Sequence, residues 1–209
     1  MAKKIALALI VALAAAGAAS AQVTISAGAA LSSADAAGVG LQSEAGLGGN
    51  IYLDYLLPIS VPLSLGFEVG YDTAAWTSDA ITAITVPLLL RAAYHFDLNP
   101  KLDLYLVGKI GYVIGAVSGS GISSAQSNGI TVEGRGGIGF GFDIGVAFYF
   151  SPVVGLFAEA GFDRYNVGYT VSGDYKTYEG YGQSSTVNYS ESFDVAFNRF
   201  LTVGLSFKF

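Results

Sequence analysis

Residues 200–209 read FLTVGLSFKF, with Leu201, Val203, Leu205, Phe207 and Phe209 alternating against Thr202, Gly204, Ser206 and Lys208. A period of two places the two sets on opposite faces of a β-strand. Chain ends usually fray in water, so a strand that finishes on an aromatic within an apolar stripe is expected to press that stripe against something other than water.

Seven further segments carry the same period. VTISAGAAL (23–31) and LGGNIYLDYLL (47–57) come first, the latter setting Asn50, Tyr52 and Asp54 against Ile51, Leu53 and Tyr55. LSLGFEVGYD (63–72) alternates most regularly, Leu63, Leu65, Phe67, Val69 and Tyr71 opposing Ser64, Gly66, Glu68, Gly70 and Asp72. ITVPLLLRAAYHF (84–96), LDLYLVGKIGYVI (102–114), GIGFGFDIGVAFYF (137–150) and VVGLFAEAGFDRY (153–165) follow. The connections after the second, fourth and sixth segments are short and built of Pro, Asp, Asn and Ser, ordinary turn chemistry. Those after the first, third, fifth and seventh are long and polar, as in VSGDYKTYEGYGQSSTVNYS (171–190). Short turns on one side and long loops on the other are the asymmetry of a transmembrane β-barrel. The predicted fold is therefore all-β: an eight-stranded antiparallel up-and-down transmembrane barrel, closed because a bilayer offers no partner to a free sheet edge.

Composition agrees. The chain is rich in glycine (28) and aromatics (13%), poor in charge (12%) and positive in mean hydropathy. After residue 21, however, no apolar run approaches the ~20 residues of a spanning helix. A sandwich in water would carry Lys, Glu and Arg on its polar face; here that face is Gly, Ser, Tyr and single charges, which suits a crowded lumen. Sixteen acidic against ten basic residues argue against a nucleic-acid partner, since phosphate binding needs a basic footprint. There is no cysteine, hence no disulfide framework. Lys3 and Lys4, an apolar run from Ile5 to Ala16 and Ala19-Ser20-Ala21 have the form of a secretory signal. Residues 1–21 are expected to be a cleaved signal peptide and residues 22–209 the outer-membrane β-barrel domain.

Together these segments resemble the small eight-stranded outer-membrane barrels of the OmpA, OmpX and OmpW type. The resemblance covers the mature chain and is one of pattern. It implies that the terminal stripe Leu201, Val203, Leu205, Phe207 and Phe209 is the signal read by the barrel-assembly machinery. It also implies outer-membrane lipid as a partner and the bacterial outer membrane as the location. No peptidoglycan-binding segment of the kind found in full-length OmpA is expected after Phe209.

Counting from the turn side places Glu68 level with Arg91 and Lys109 level with Asp143, with Glu159 close to the same height. Five charges from five successive strands are thus expected to converge in the lumen, either as a neutralising plug or as a gate in an ion path. Arg164 lies ten residues after Val154, and Arg199 ten before Phe209. At ~2.5 Å of axial rise per residue, ten residues cross the ~25 Å apolar band. Both arginines share the parity of the lipid face, so both are expected at the outer headgroups, recognising phosphate or simply snorkelling. Pro87 removes a ladder donor inside a segment that should have no free edge; a bulge is expected there.

Two motifs carry little. Gly134-Arg135-Gly136-Gly137-Ile138-Gly139 matches G-x-G-x-x-G, yet it enters a strand, whereas a dinucleotide loop opens a helix. The single histidine, His95, falls in the lumen near the periplasmic rim, away from the outer surface where lipid-modifying barrels work. The chain is therefore expected not to be an enzyme, and no cofactor or metal site is expected. Tyr169, Tyr175, Tyr178 and Tyr181, set among Ser, Gly and Asn in the last loop, resemble a binding-loop mixture, or they pack on one another in an extended hairpin. The functional expectation is a monomeric, non-enzymatic barrel with an envelope-structural role, or a surface-binding one through its long loops toward a host or surface ligand. The alternative is a narrow porin-like channel for small or hydrophobic solutes.

Overall fold

A computed structural model describes residues 22–35, 45–76, 81–127, 129–179 and 183–209; the expected signal segment lies outside them. Eight strands follow in chain order: β1 Val23–Asp35, β2 Ala45–Leu56, β3 Leu63–Trp76, β4 Ile81–Asn99, β5 Leu102–Ser118, β6 Ile130–Tyr149, β7 Val154–Glu179 and β8 Gln183–Lys208. One short helix, α1 (Ser120–Ser127), joins β5 to β6. It is flanked by Gly119 at φ 121° and Gly129 at φ 80°, a backbone region in which glycine alone carries no Cβ penalty.

Each strand pairs antiparallel with the next, and β8 returns to β1, closing the barrel. Closure runs to the last residue, where the Phe209 N–H donates to Val23 O (2.9 Å) and the Val23 N–H donates to Phe209 O (3.1 Å). This backbone saturation is what a sheet requires in hydrocarbon.

The alternating sequence sorts onto the two faces. Outward stand Ile51, Phe67, Ile110, Ile138 and Phe142, each 57–65% exposed, part of an apolar belt around the barrel far larger than the few hundred Å² a water-soluble monomer exposes. Among the described residues no helix is long and apolar enough to cross a membrane; the strands form the apolar belt. Inward stand the small and polar residues, and in an eight-stranded barrel side chains fill the interior.

The strands on the loop side run beyond the sequence expectation. β7 and β8 reach 26 residues each and pair as far as Glu179↔Gln183, so the stretch read as a long loop is mostly a β-hairpin. The hydrophobic period disappears from the sequence there, and backbone pairing persists without it. Pro87 makes no bulge: β4 keeps one register against β5 from Thr82↔Ser118 to Asp97↔Asp103. The cost falls on the other side, where β3–β4 pairing lapses at Gly70 and Tyr71 and resumes in the same register at Asp72↔Thr85.

Candidate functional site

The inward positions divide the lumen into three levels. Toward the loops it is packed dry by Ala83, Leu89, Val113, Tyr165, Val167, Tyr169, Val195 and Phe197, all at most 2% exposed. In the middle lies a belt of charge. Toward the turns lies a polar vestibule.

The belt gathers all five residues expected there. Arg91 on β4 spreads its guanidinium over three carboxylates: Nη2 lies 2.7 Å from Glu159 Oε1, Nη1 3.3 Å from Glu68 Oε2, and Nε 3.2 Å from Asp54 Oδ1. Its plane also covers the Tyr52 ring at 3.7 Å, a cation–π contact strengthened by the dry surroundings. Lys109 Nζ sits among four carboxylates, 2.5 Å from Asp143, 3.0 Å from Asp163, 3.2 Å from Glu159 and 3.4 Å from Glu68. The Tyr105 hydroxyl donates to Glu159 at 3.0 Å. Three further acids, Asp54, Asp72 and Asp163, belong to the belt although the depth count did not include them. Their inward parity was readable; their ability to share a cation across the lumen was not.

Arg199 is the correction of largest consequence. Its lipid-facing placement assumed unbroken alternation from Phe209, but β8 carries a bulge at Phe200. Against β1, Leu31↔Leu201 is followed directly by Ser32↔Arg199. Thr202, Gly204 and Ser206 face inward below the bulge, and Arg199, Phe197 and Val195 face inward above it, while Phe200 stays 46% exposed. Arg199 is therefore 2% exposed in the lumen. It is paired with Asp72 through Nη2 at 2.6 Å and with Glu68 through Nη1, and its guanidinium lies 5.4 Å from the Tyr165 ring centre. A bulge flips every residue beyond it to the other face. Arg164 keeps outward parity, half-buried, with Nε 3.3 Å from Asn166 Oδ1.

Glycine makes room for this much charge. A Cβ at Gly141 would stand 1.7 Å from Asp163 Oδ1, and one at Gly70 would stand 2.6 Å from Arg199 Nη2 and 2.8 Å from Pro87 Cγ. Buried charge persists only when paired. In the belt three cations, Arg91, Lys109 and Arg199, are shared among six carboxylates, so that Asp54, Glu68, Asp72, Asp143, Glu159 and Asp163 each have at least one of them as an ion-pair partner.

Tyr169 is not a loop residue. It is fully buried in the dry level, its ring stacked on Phe193 at 5.7 Å, because β7 still forms barrel wall at that height. Tyr175 and Tyr178 pair through their backbones with Val187 and Ser184; their side chains, like all of Tyr181, lie outside the described residues. Leu201, Val203, Leu205, Phe207 and Phe209 stand on the outer side of β8, with Phe209 64% exposed. Among the described residues no group of three or more His, Cys, Asp or Glu has an arrangement that could hold a metal ion.

The profile of the outer membrane protein beta-barrel domain matches residues 5–177. No curated protein matches the chain in sequence. Its architecture is shared by solved structures, three of them as follows. A major outer membrane protein from Thermus thermophilus is 17% identical, with 91% of this chain and 100% of that one covered at a TM-score of 0.59. OprG from Pseudomonas aeruginosa is 10% identical, with 90% and 95% covered at 0.58. Neisserial surface protein A is 20% identical, with 90% and 97% covered at 0.53. At these identities the likeness is one of fold.

Proposed function

This chain belongs to the outer membrane protein beta-barrel domain family and resides in the bacterial outer membrane, and on that premise we propose that it is an envelope-structural or surface-binding barrel that works through its extracellular face. The observation that carries this reading is the filled lumen: the charge belt and the dry level above it leave the loop-side elements, above all the β7–β8 hairpin, as the part that meets the outside. The test is binding of cells to host matrix and serum proteins, with and without residues 174–188. Loss of binding in a barrel that still folds supports the surface role, and unchanged binding disposes of adhesion through the hairpin.

A second reading, passage of a small or hydrophobic solute, is favoured by one seam. The β5–β6 ladder stops at Val113↔Gly137, so among the described residues Ile114–Ser118 and Ile130–Gly136 are not ladder-paired across it, although the two backbones stay close: a Cβ at Gly134 would stand 2.0 Å from Gly115 O. Val113, Val167 and Tyr169 belong to the apolar level at this height. Planar-bilayer conductance and liposome swelling test it; neither current nor swelling would discard it.

A further inference from the structure

The turn-side vestibule holds an arrangement that neither the charge belt nor the hairpin uses. Ser64 on β3, His95 on β4 and Asp103 on β5 face inward from three successive strands, at the level where Ser64 pairs with Ala93 and His95 with Tyr105. Ser64 Oγ lies 2.9 Å from His95 Nε2, and His95 Nδ1 lies 2.8 Å from Asp103 Oδ2. An ionised carboxylate only accepts hydrogen bonds, so it fixes the N–H on Nδ1 and leaves Nε2 of the neutral ring as an acceptor. The Ser64 hydroxyl then points its proton at Nε2. This is the tautomer and the order of contacts by which a serine is activated as a nucleophile.

The three residues line a cavity of about 60 Å³. It is bounded toward mid-membrane by Arg91 and Asp54 and reaches Gln22 and Lys208 at the strand ends. At roughly 15 Å³ of such volume per water, it holds a handful of waters or a short acyl group, and a long chain does not fit. Thr24, Tyr149 and Lys208 line the same space.

We propose that Ser64, His95 and Asp103 form a hydrolytic site, open to the periplasm, for esters with a short acyl group. Ser64 Oγ bonds to the carbonyl carbon as its proton passes to His95 Nε2. The bond from that carbon to the alkoxy oxygen breaks, and the alcohol leaves with the proton from Nε2. A water then gives its hydroxyl to the acyl carbon and its proton to Nε2; the bond from that carbon to Ser64 Oγ breaks, the carboxylic acid departs and Nε2 returns the proton to Oγ. Ester and water become acid and alcohol. Ser64 and His95 are the catalytic residues, and Asp103 positions the ring. The site lies at the opposite end of the barrel from the hairpin, so its success or failure is independent of the surface-binding role.

The experiment uses the full mature barrel in detergent, with folding verified by its heat-dependent shift on gels. A fluorophosphonate probe is applied, and p-nitrophenyl acetate is the substrate. The expected result is a covalent adduct on Ser64 located by mass spectrometry, and hydrolysis that falls on the order of a thousandfold in Ser64→Ala and in His95→Gln. Asp103→Asn should fold, lose activity and displace the rising limb of the pH–rate profile, and Asp103→Glu should restore part of the rate; a purely structural Asp103 would move neither. A folded wild-type barrel whose Ser64 stays unlabelled, or hydrolysis equal in wild type and folded Ser64→Ala, overturns the proposal. If Ser64→Ala fails to fold, the adduct site in wild type and the rate of His95→Gln decide.

Discussion

Arg199 on the last strand and Asp72 on the third hold each other across the lumen, Nη2 to Oδ2 at 2.6 Å, although 127 residues separate them in the chain. Both are withdrawn from solvent, at most 2% exposed. This contact exists because one residue, Phe200, is accommodated on the outer wall as a bulge.

Arg199→Ala should destabilise the barrel by about 3–5 kcal/mol, the loss associated with leaving buried charges unpaired. Arg164→Ala should stay within about 0.5 kcal/mol, as a change at a partly exposed position does. Urea unfolding of both variants refolded into lipid vesicles separates the two positions. Equal, small effects would place Arg199 outside the belt.

Lys109 serves four carboxylates, whereas Asp143 is one partner among those four. Lys109→Met should therefore be far more damaging than Asp143→Asn, with a loss above about 3 kcal/mol against about 1 kcal/mol or less. Midpoints of denaturant unfolding check the ranking, and an inverted order would show that the pair with Asp143 dominates the site.

Gly70 and Pro87 share one crowded spot beside Arg199. Gly70→Val should cost about 1–3 kcal/mol through overpacking and disturb the Arg199–Asp72 pair. Pro87→Ala should be close to neutral, because it returns an N–H where the β3–β4 ladder lapses. Thermal unfolding of the two variants gives the comparison.

Residues 1–21 have the form of a signal peptide, so the mature protein recovered from outer membranes should begin at Gln22. Its N-terminal peptide by mass spectrometry decides this. Deleting Phe209 should lower the yield of folded barrel in cells far more than it lowers stability in vitro, if the terminal stripe is the assembly signal. Comparing membrane yield with refolding in vesicles distinguishes the two effects.

Eight alternating segments, short turns opposite long loops and the terminal stripe were enough to read the barrel, because a period of two and a closed sheet are local and general requirements. Glu68, Arg91, Lys109, Asp143 and Glu159 were legible as a belt for the same reason, since parity gives the face and residue count gives the height. Other features were decided only in three dimensions. The bulge at Phe200 gives no signal in FLTVGLSFKF, yet it carries Arg199 from the lipid face into the lumen. The extension of β7 and β8 took Tyr169 out of a loop, because backbone pairing continues where hydrophobic alternation has ended. The contacts of His95 with Ser64 and with Asp103 depend on the relative stagger of three strands, a quantity set by closing the whole sheet. Sequence by itself determined which face each strand turns to a membrane, short of the bulge in β8, and where this protein lives. Tertiary structure decided which charges meet, because register across a closed barrel is a property of all eight strands at once.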